Sequence, residues 1–231
     1  MASSRSSGDA EITSRRSQAE RSHATRERVI AATIGLLHTE GYAGTTTRAV
    51  QKAAAVSIGA LQHQFPTKAM LMAAVQERLI QERLKHVKAA AQDAANPLAL
   101  VGRLLDIAGS LIGTPLFAAS IEIDLARRSD KELDQAIAEV RDRSSDEFIK
   151  VTNTVSESAG DDARERVREL DLLTGALIRG LTVEAVTEGD LTEVAAAFGT
   201  WRSIVLQLLG NAMASPTYAA PGNAAPRRCA D

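Results

Sequence analysis

The sequence predicts an all-α protein of about nine helices, with a small N-terminal helical unit ahead of a larger helical body. Apolar residues recur at helical spacing along most of the chain. Aromatic residues make up only 3% of the 231 residues, so the core must consist mainly of Leu, Ile, Val and Ala, a composition that favours helices over a β-sandwich. In addition, the stretch from Thr45 to Lys68 has the pattern of two short helices joined by a tight turn.

The chain begins with a segment rich in Ser and Arg, residues 1–21, which contains almost no large apolar side chain. Such a segment cannot offset its own ordering entropy, so we expect a disordered basic arm. Two interpretations remain open: a flexible tail, or an arm that orders on DNA. The first helix is predicted over Arg26–Glu40, because Ile30, Ile34 and Leu37 follow helical spacing, and Gly41 is placed to end it.

The next stretch, TTTRAVQKAAAVSIGALQHQFPTK, contains two helix starts and one clear stop. Thr45 or Thr46 can cap the first short helix, and Ser57 can cap the second. Pro66 ends the second helix, since the residue before a proline is pushed out of the α region. This pattern is typical of a helix-turn-helix, whose second helix normally enters the major groove of DNA.

The solvent-facing residues of the second short helix include no acidic side chain. Glutamine can pair with adenine through two hydrogen bonds, and small residues allow the backbone to approach the groove. We therefore predict a DNA-binding set that combines this face with neighbouring groups able to contact phosphate. Its members are Thr47, Arg48, Ser57, Ile58, Gly59, Ala60, Gln62, His63, Gln64 and Lys68.

The stretch from Arg28 to Val75 resembles the N-terminal DNA-binding domain of the TetR/AcrR family of transcriptional repressors. The match is gapless, and its landmarks are Gly41-Tyr42, Thr45-Thr46, Val56-Ser57, Gly59, Leu61, Phe65-Pro66 and Lys68. Two departures stand out. Ala55 occupies the place of the usual turn glycine, which predicts a strained turn. Gln62 and Gln64 replace a frequent tyrosine and histidine, so the resemblance does not supply the operator sequence.

A larger helical body is predicted to follow. A long helix should run from Thr67 to about Ala94, Asn96-Pro97 and Pro115 should open the next two helices, and Ser129 or Asp130 should cap another that extends to about residue 157. The helix after Pro97 is apolar nearly all round, and its glycines leave volume for an apolar effector beside Gly109. The predicted effector-binding residues are His86, Leu104, Ile107, Leu111, Phe117, Ile121 and Glu122. The open alternative for His86 is a solvated or core-satisfied histidine. For Glu122 it is a carboxylate that is exposed or paired with Arg127 or Arg128.

The last two helices, predicted over about residues 161–187 and 191–214, each carry two apolar rows. A helix with two apolar faces needs two partners, its own core and, by our interpretation, a second subunit. The resemblance likewise implies that these helices build a dimeric four-helix bundle. The predicted dimerisation residues are Leu173, Leu177, Gly180, Leu181, Trp201, Ile204 and Leu208.

Charge is distributed unevenly along the chain. Residues 15–68 contain eight Lys and Arg against three acidic residues, a net charge of +5. Residues 1–14 carry −1 and the part after Lys68 carries −6, which gives −2 for the whole chain. A basic head on an acidic body suits a DNA-binding unit with a partner domain that does not bind DNA. The single cysteine, Cys229, forms neither an intramolecular disulfide nor a zinc site. We expect no cofactor, no membrane span, no signal peptide and a cytoplasmic location.

The predicted organisation is an arm over residues 1–21, a helix-turn-helix domain over 22–68, an effector-binding and dimerisation domain over 69–214, and a disordered tail over 215–231. The leading functional hypothesis is a homodimeric, ligand-responsive repressor on a pseudopalindromic duplex operator, released by an unknown small apolar effector. A dimeric helical scaffold without a specific operator is one alternative. An enzyme is another, although the common hydrolase, metalloprotease and nucleotide-binding motifs do not occur in the sequence.

Overall fold

The computed structural model describes residues 6–143 and 161–214, with side chains described for 18–143 and 165–211. These residues form nine helices and no strand, which confirms the all-α class. The helices are α1 (Ser6–Gly44), α2 (Thr47–Ala53), α3 (Ile58–Gln64), α4 (Lys68–Asp93), α5 (Pro97–Gly109), α6 (Pro115–Ala126), α7 (described over 131–143), α8 (Asp161–Thr187) and α9 (Leu191–Ala214).

Helix α1 begins at Ser6, so residues 6–21 are helical where the sequence predicted a disordered arm. Eight of these sixteen residues are Ala, Glu, Gln or Arg, which are strong helix formers. Once the apolar part of α1 has nucleated, each further residue adds a backbone hydrogen bond at little cost. Residues 1–5, the predicted tail over 215–231, and the predicted continuation of α7 to residue 157 lie outside the described residues.

Side-chain caps begin most of the helices at the residues that the sequence indicated. Thr46, Ser57 and Thr67 each accept a hydrogen bond from the amide three residues ahead, at 3.1, 3.1 and 3.2 Å respectively. Asp130 caps α7 in the same way, since its Oδ1 accepts from the amide of Leu133 at 3.0 Å. The sequence left Thr45 and Ser129 open as alternatives, and the structure assigns the caps to Thr46 and Asp130.

Among the described residues, most of the buried apolar side chains form three clusters. The first joins α1, α2, α3 and the start of α4 to α6 and α7, with Leu37, Leu61, Met72, Ile123 and Ile137 almost fully buried. The second and third clusters lie between α4, α5, α6, α8 and α9. Because the first cluster extends on both sides of residue 68, the helix-turn-helix and the near end of the body pack as one unit. The boundary between the two domains, which the sequence analysis placed after residue 68, stays a prediction.

No helix within the described ranges combines the length and the apolar composition that crossing a lipid bilayer requires.

Candidate nucleic-acid interface

The turn between α2 and α3 contains Ala55 in the left-handed region, with φ of 51°. It is the only residue other than glycine with positive φ among those described. An alanine there costs about 1–2 kcal/mol, because its Cβ crowds the following carbonyl. The side chain of Gln51 offsets part of this cost by donating from Nε2 to the carbonyl of Val56 at 2.7 Å. The strain that the sequence predicted at Ala55 is thus confirmed. The start of α3 is nevertheless held in place by the Gln51 hydrogen bond and by the Ser57 cap.

Helix α3 turns its apolar side inward and its polar side to solvent. Leu61 is buried, and Phe65, which caps the helix in an extended conformation, is buried beside it. Four residues on the opposite side are exposed, and we call them the reading face: Ile58, Gly59, Gln62 and His63. The predicted contacts Ala60 and Gln64 are only half-exposed, and Gln64 donates from Nε2 to the Ser22 hydroxyl at 2.7 Å. The hydrogen bond to Ser22 attaches the end of α3 to α1.

The predicted phosphate contacts differ in their surroundings. Arg48 on α2 is exposed, and Thr47 beside it is half-buried. Lys68 instead donates from Nζ to the carbonyl of Tyr42 at 2.9 Å, and its ammonium lies 3.8 Å from the centre of the Tyr42 ring. Burial lowers the pKa of Lys68, and the nearby Asp130 carboxylate partly opposes that shift. Lys68 therefore holds the end of α1 in this structure, and Arg48 is the better candidate for a phosphate.

The end of α1 is fixed by groups from the body. Gly41 interrupts α1 with φ of 67° and ψ of −177°, and the Tyr42 amide that follows donates to Glu122 Oε2 on α6 at 3.0 Å. The Tyr42 hydroxyl donates to Asp130 Oδ2 at 3.4 Å. Burial, and then the charge of Asp130, raise the pKa of Tyr42. We call Gly41, Tyr42, Lys68, Glu122 and Asp130 the junction.

Sequence reasoning missed the junction, because its partners lie about 80 residues apart and no local pattern links them. The sequence left Glu122 open between an effector contact and a paired carboxylate; in the structure it accepts a hydrogen bond from the Tyr42 amide, and its effector role stays a prediction. The only usable signal was an acidic residue among apolar neighbours on α6, which indicates a paired carboxylate without identifying the partner.

A second set of contacts connects α1 to α3 and α4. The Arg26 guanidinium lies 4.8 Å from the centre of the Phe65 ring and 3.7 Å from the Glu77 carboxylate. Arg78 on α4 pairs with both Glu27 on α1 and Glu82 on its own helix. Half-exposed ion pairs of this kind contribute little each. Their effect here is to orient α1, and with it the reading face, on the long helix that continues into the body.

The other predicted effector residues do not gather around one cavity. Leu104 and Ile107 pack in the second core cluster, whereas Leu111, Phe117 and Ile121 belong to the third. His86 is exposed on α4. The expected space beside Gly109 is filled, because a Cβ there would collide with the ring of Phe198. An open groove of about 380 Å³ lies instead between α5 and α9, lined by Asn96, Leu98, Ala99, Gly102, Arg103, Asp106, Arg202 and Leu206.

The predicted dimerisation residues divide into two groups. Leu177, Leu181 and Trp201 are half-buried in the chain's own core, and the indole N–H of Trp201 donates to the Thr174 hydroxyl at 2.9 Å. Leu173, Ile204 and Leu208 are 52%, 43% and 41% exposed, and Gly180 is exposed as well. These residues and three further exposed side chains outside the predicted set form what we call the exposed apolar face: Leu172, Leu173, Gly180, Val183, Val186, Ile204 and Leu208.

Comparisons with known proteins agree with this architecture. Residues 29–75 match the family model described as bacterial regulatory proteins, tetR family. The HTH-type transcriptional regulator CymR of Pseudomonas putida is 30% identical over 176 residues, which cover 76% of this chain and 86% of that protein.

Two solved structures share the fold. A transcriptional regulator from Rhodococcus sp. Rha1 superposes with a TM-score of 0.61 at 22% identity, covering 79% of this chain and 96% of its own. The multidrug binding protein EbrR, in complex with imidazole, superposes with a TM-score of 0.52 at 20% identity. The match covers 83% of this chain and 96% of the EbrR chain.

The relatives and the matching family are transcriptional regulators rather than enzymes. The helix-turn-helix geometry, the family match and the similarity to CymR over most of both chains lead to the same assignment. The chain belongs to the TetR family of DNA-binding transcriptional regulators.

Proposed function

We propose that the protein is a homodimeric repressor that binds a pseudopalindromic DNA operator and is released by a small apolar molecule. The observation that carries this proposal is the reading face, which presents Gln62 and His63 to solvent on a capped helix that contains no acidic residue. Two such faces in a dimer can occupy two half-sites spaced about 34–36 Å apart. A bound dimer would then exclude other proteins from the operator.

Replacing residues on and beside the reading face tests the DNA-binding part of the proposal. The operator is first selected from random duplex DNA with the wild-type protein. Gln62→Ala should then weaken operator binding by about 1–3 kcal/mol and relax preference at one base pair, since glutamine pairs with adenine through two hydrogen bonds. Arg48→Ala should weaken binding to all sequences and reduce the slope of log K against log salt by about 0.9 for each phosphate that the arginine neutralises in the wild type.

Arg103→Ala is the matched control, because Arg103 is an exposed arginine on α5 in the body. It should leave both the sequence preference and the salt slope unchanged. Binding that is unaltered in Gln62→Ala and Arg48→Ala would show that another surface reads the DNA. A selection that returns no preferred sequence would favour a regulator without a specific operator.

The proposal of a homodimer rests on the exposed apolar face of α8 and α9. Large aliphatic side chains in a contiguous patch are unusual on the surface of a monomer and mark interaction sites. The same patch on a second copy, related by a twofold axis, would cover this face with matching apolar groups. The buried rows of the same helices, Thr174 and Ile178 on α8 and Val205 and Leu209 on α9, face the subunit's own core.

The proposal of a small-molecule effector is supported by the fold and by the composition of the body. EbrR, a multidrug binding protein with this fold, has been solved with imidazole, so the fold accommodates a small molecule in at least one protein. An effector site in this chain would lie among the apolar residues of α4–α6 and α8. Since Phe198 fills the space beside Gly109, we place it away from that glycine.

Screening uncharged aromatic and aliphatic compounds for a rise in Tm tests this part. A compound that stabilises the protein should weaken operator binding by roughly 5- to 150-fold, because allosteric coupling energies are typically about 1–3 kcal/mol. The measurement is DNA affinity by fluorescence anisotropy with and without the compound. Compounds that raise Tm yet leave operator affinity unchanged would contradict release by an effector.

A further inference from the structure

The first residue of α3, Ile58, presents a large apolar side chain to solvent. Ile58 is 48% exposed, and within residues 22–68 it is the one large hydrophobic residue that is exposed to solvent. The other large aliphatic side chains of α2 and α3, Val50 and Leu61, are buried. The position of Ile58 is therefore not explained by packing inside the protein.

The backbone around Ile58 holds it at the leading end of the reading face. Ser57 caps α3 by accepting from the Ala60 amide at 3.1 Å, which fixes the first turn. Apart from the helix's own backbone and the adjacent residues, nothing lies within 4 Å of where a Cβ on Gly59 would be, so no other part of the protein covers this surface. In a helix-turn-helix, the N-terminal residues of the second helix are those that contact base edges. Ile58 thus lies where an apolar group would meet a base.

We propose that Ile58 recognises the 5-methyl group of a thymine in each operator half-site. In the major groove, thymine is the base that displays an apolar group, and aliphatic side chains contact it. A β-branched side chain in a helix has essentially one χ1 rotamer, so Ile58 loses little conformational freedom when it makes this contact. The inference rests on the proposed DNA-binding function. It goes further by naming the chemical group, a thymine methyl, that Ile58 contacts.

Replacing thymine by uracil in the DNA tests this inference, because uracil differs from thymine only by the missing methyl group. With the selected operator, each thymine is replaced in turn, symmetrically in both half-sites. At one position, the affinity of the wild-type protein should fall about fourfold per half-site, the effect of withdrawing one buried methyl-sized group. The Ile58→Ala variant should bind the thymine operator more weakly than the wild type does. It should bind the uracil operator with the same reduced affinity as the thymine operator.

Leu125→Ala is the matched control, since Leu125 is an exposed aliphatic residue on α6, outside the helix-turn-helix. This variant should keep the full penalty for uracil. Circular dichroism and Tm should confirm that Ile58→Ala remains folded, and Ile58→Val, which keeps one branch, should retain part of the uracil penalty.

The inference and the proposed function can fail separately. A selection without any preferred sequence contradicts the proposed function itself. A preferred operator at which no thymine-to-uracil replacement matters overturns the role of Ile58 and leaves specific DNA binding intact. The role is likewise overturned if Ile58→Ala keeps the uracil penalty. It is also overturned if Ile58→Ala binds the thymine operator as tightly as the wild type, the result expected if the side chain is exposed for contact with another protein.

Discussion

Ile204→Glu should separate the proposed dimer into folded monomers. Ile204 is 43% exposed in the single chain, so a glutamate there is solvated in the monomer and the fold should persist. In a twofold interface, the same change places a carboxylate from each copy in an apolar environment, and an unpaired buried charge costs about 3–5 kcal/mol. The dimer dissociation constant should therefore rise by at least about a hundredfold. Sedimentation velocity across a micromolar concentration range measures the change.

The control for this prediction is Ser203→Glu, which adds the same charge to an exposed neighbouring position. At about 100° per residue, Ser203 lies well around α9 from both Ile204 and Leu208. It should leave the dimer intact. The dimer proposal fails if the wild-type protein is monomeric at micromolar concentration, or if Ile204→Glu sediments as a dimer. The predicted interface residue Leu177 is a poor alternative target, because it packs in the core and its replacement would damage the fold itself.

Gly41→Ala should destabilise the protein and disturb its junction. With φ of 67° and ψ of −177°, Gly41 occupies a region that is essentially restricted to glycine and costs other residues about 1–3 kcal/mol. A Cβ there would also lie 3.2 Å from Glu122 Oε2, the oxygen that accepts from the Tyr42 amide. Displacing this acceptor adds about 1–3 kcal/mol. The two costs together amount to about 2–6 kcal/mol, so at about 2–4 °C per kcal/mol Tm should fall by roughly 4–24 °C in differential scanning calorimetry.

Gly35→Ala is the matched control, because Gly35 lies in the middle of α1 and nothing lies within 4 Å of the added Cβ. Alanine is favoured over glycine in a helix by about 1 kcal/mol, so this variant should be at least as stable as the wild type. Operator affinity should fall in Gly41→Ala and not in Gly35→Ala, since the junction sets the angle of the helix-turn-helix on the body. Equal Tm values for the two variants would refute the strain assigned to Gly41.

The local features of the fold were predictable from the sequence. The caps at Ser57 and Thr67, the stop before Pro66 and the strain at Ala55 all depend on interactions within about four residues, which a sequence displays directly. Helical spacing also indicated two apolar rows on each of α8 and α9, but it did not show which row is exposed, since the predicted interface residues Leu177, Leu181 and Trp201 pack in the core. The face of α3 that reaches solvent follows from the same periodicity, although its role as a DNA contact stays a prediction.

Features that depend on distant parts of the chain were not predictable. The hydrogen bond from Tyr42 to Glu122 and the contact between Gly109 and Phe198 each join segments about 80 residues or more apart. Helical spacing identifies the apolar side of each helix, but not the neighbouring helix that covers it. The predicted effector cavity was consequently placed beside Gly109, where the ring of Phe198 already fills the space.

Trp201, whose indole donates a hydrogen bond to Thr174, is a built-in fluorescent reporter. Trp201 is the only tryptophan in the sequence, and its half-buried indole lies on α9 one turn from Ile204 and two from Leu208. The ultraviolet-excited emission of the unlabelled protein is accordingly dominated by one environment, at the boundary between the subunit core and the exposed apolar face. With no second indole in the helix-turn-helix, a change in emission wavelength identifies an event in the body, without any attached dye.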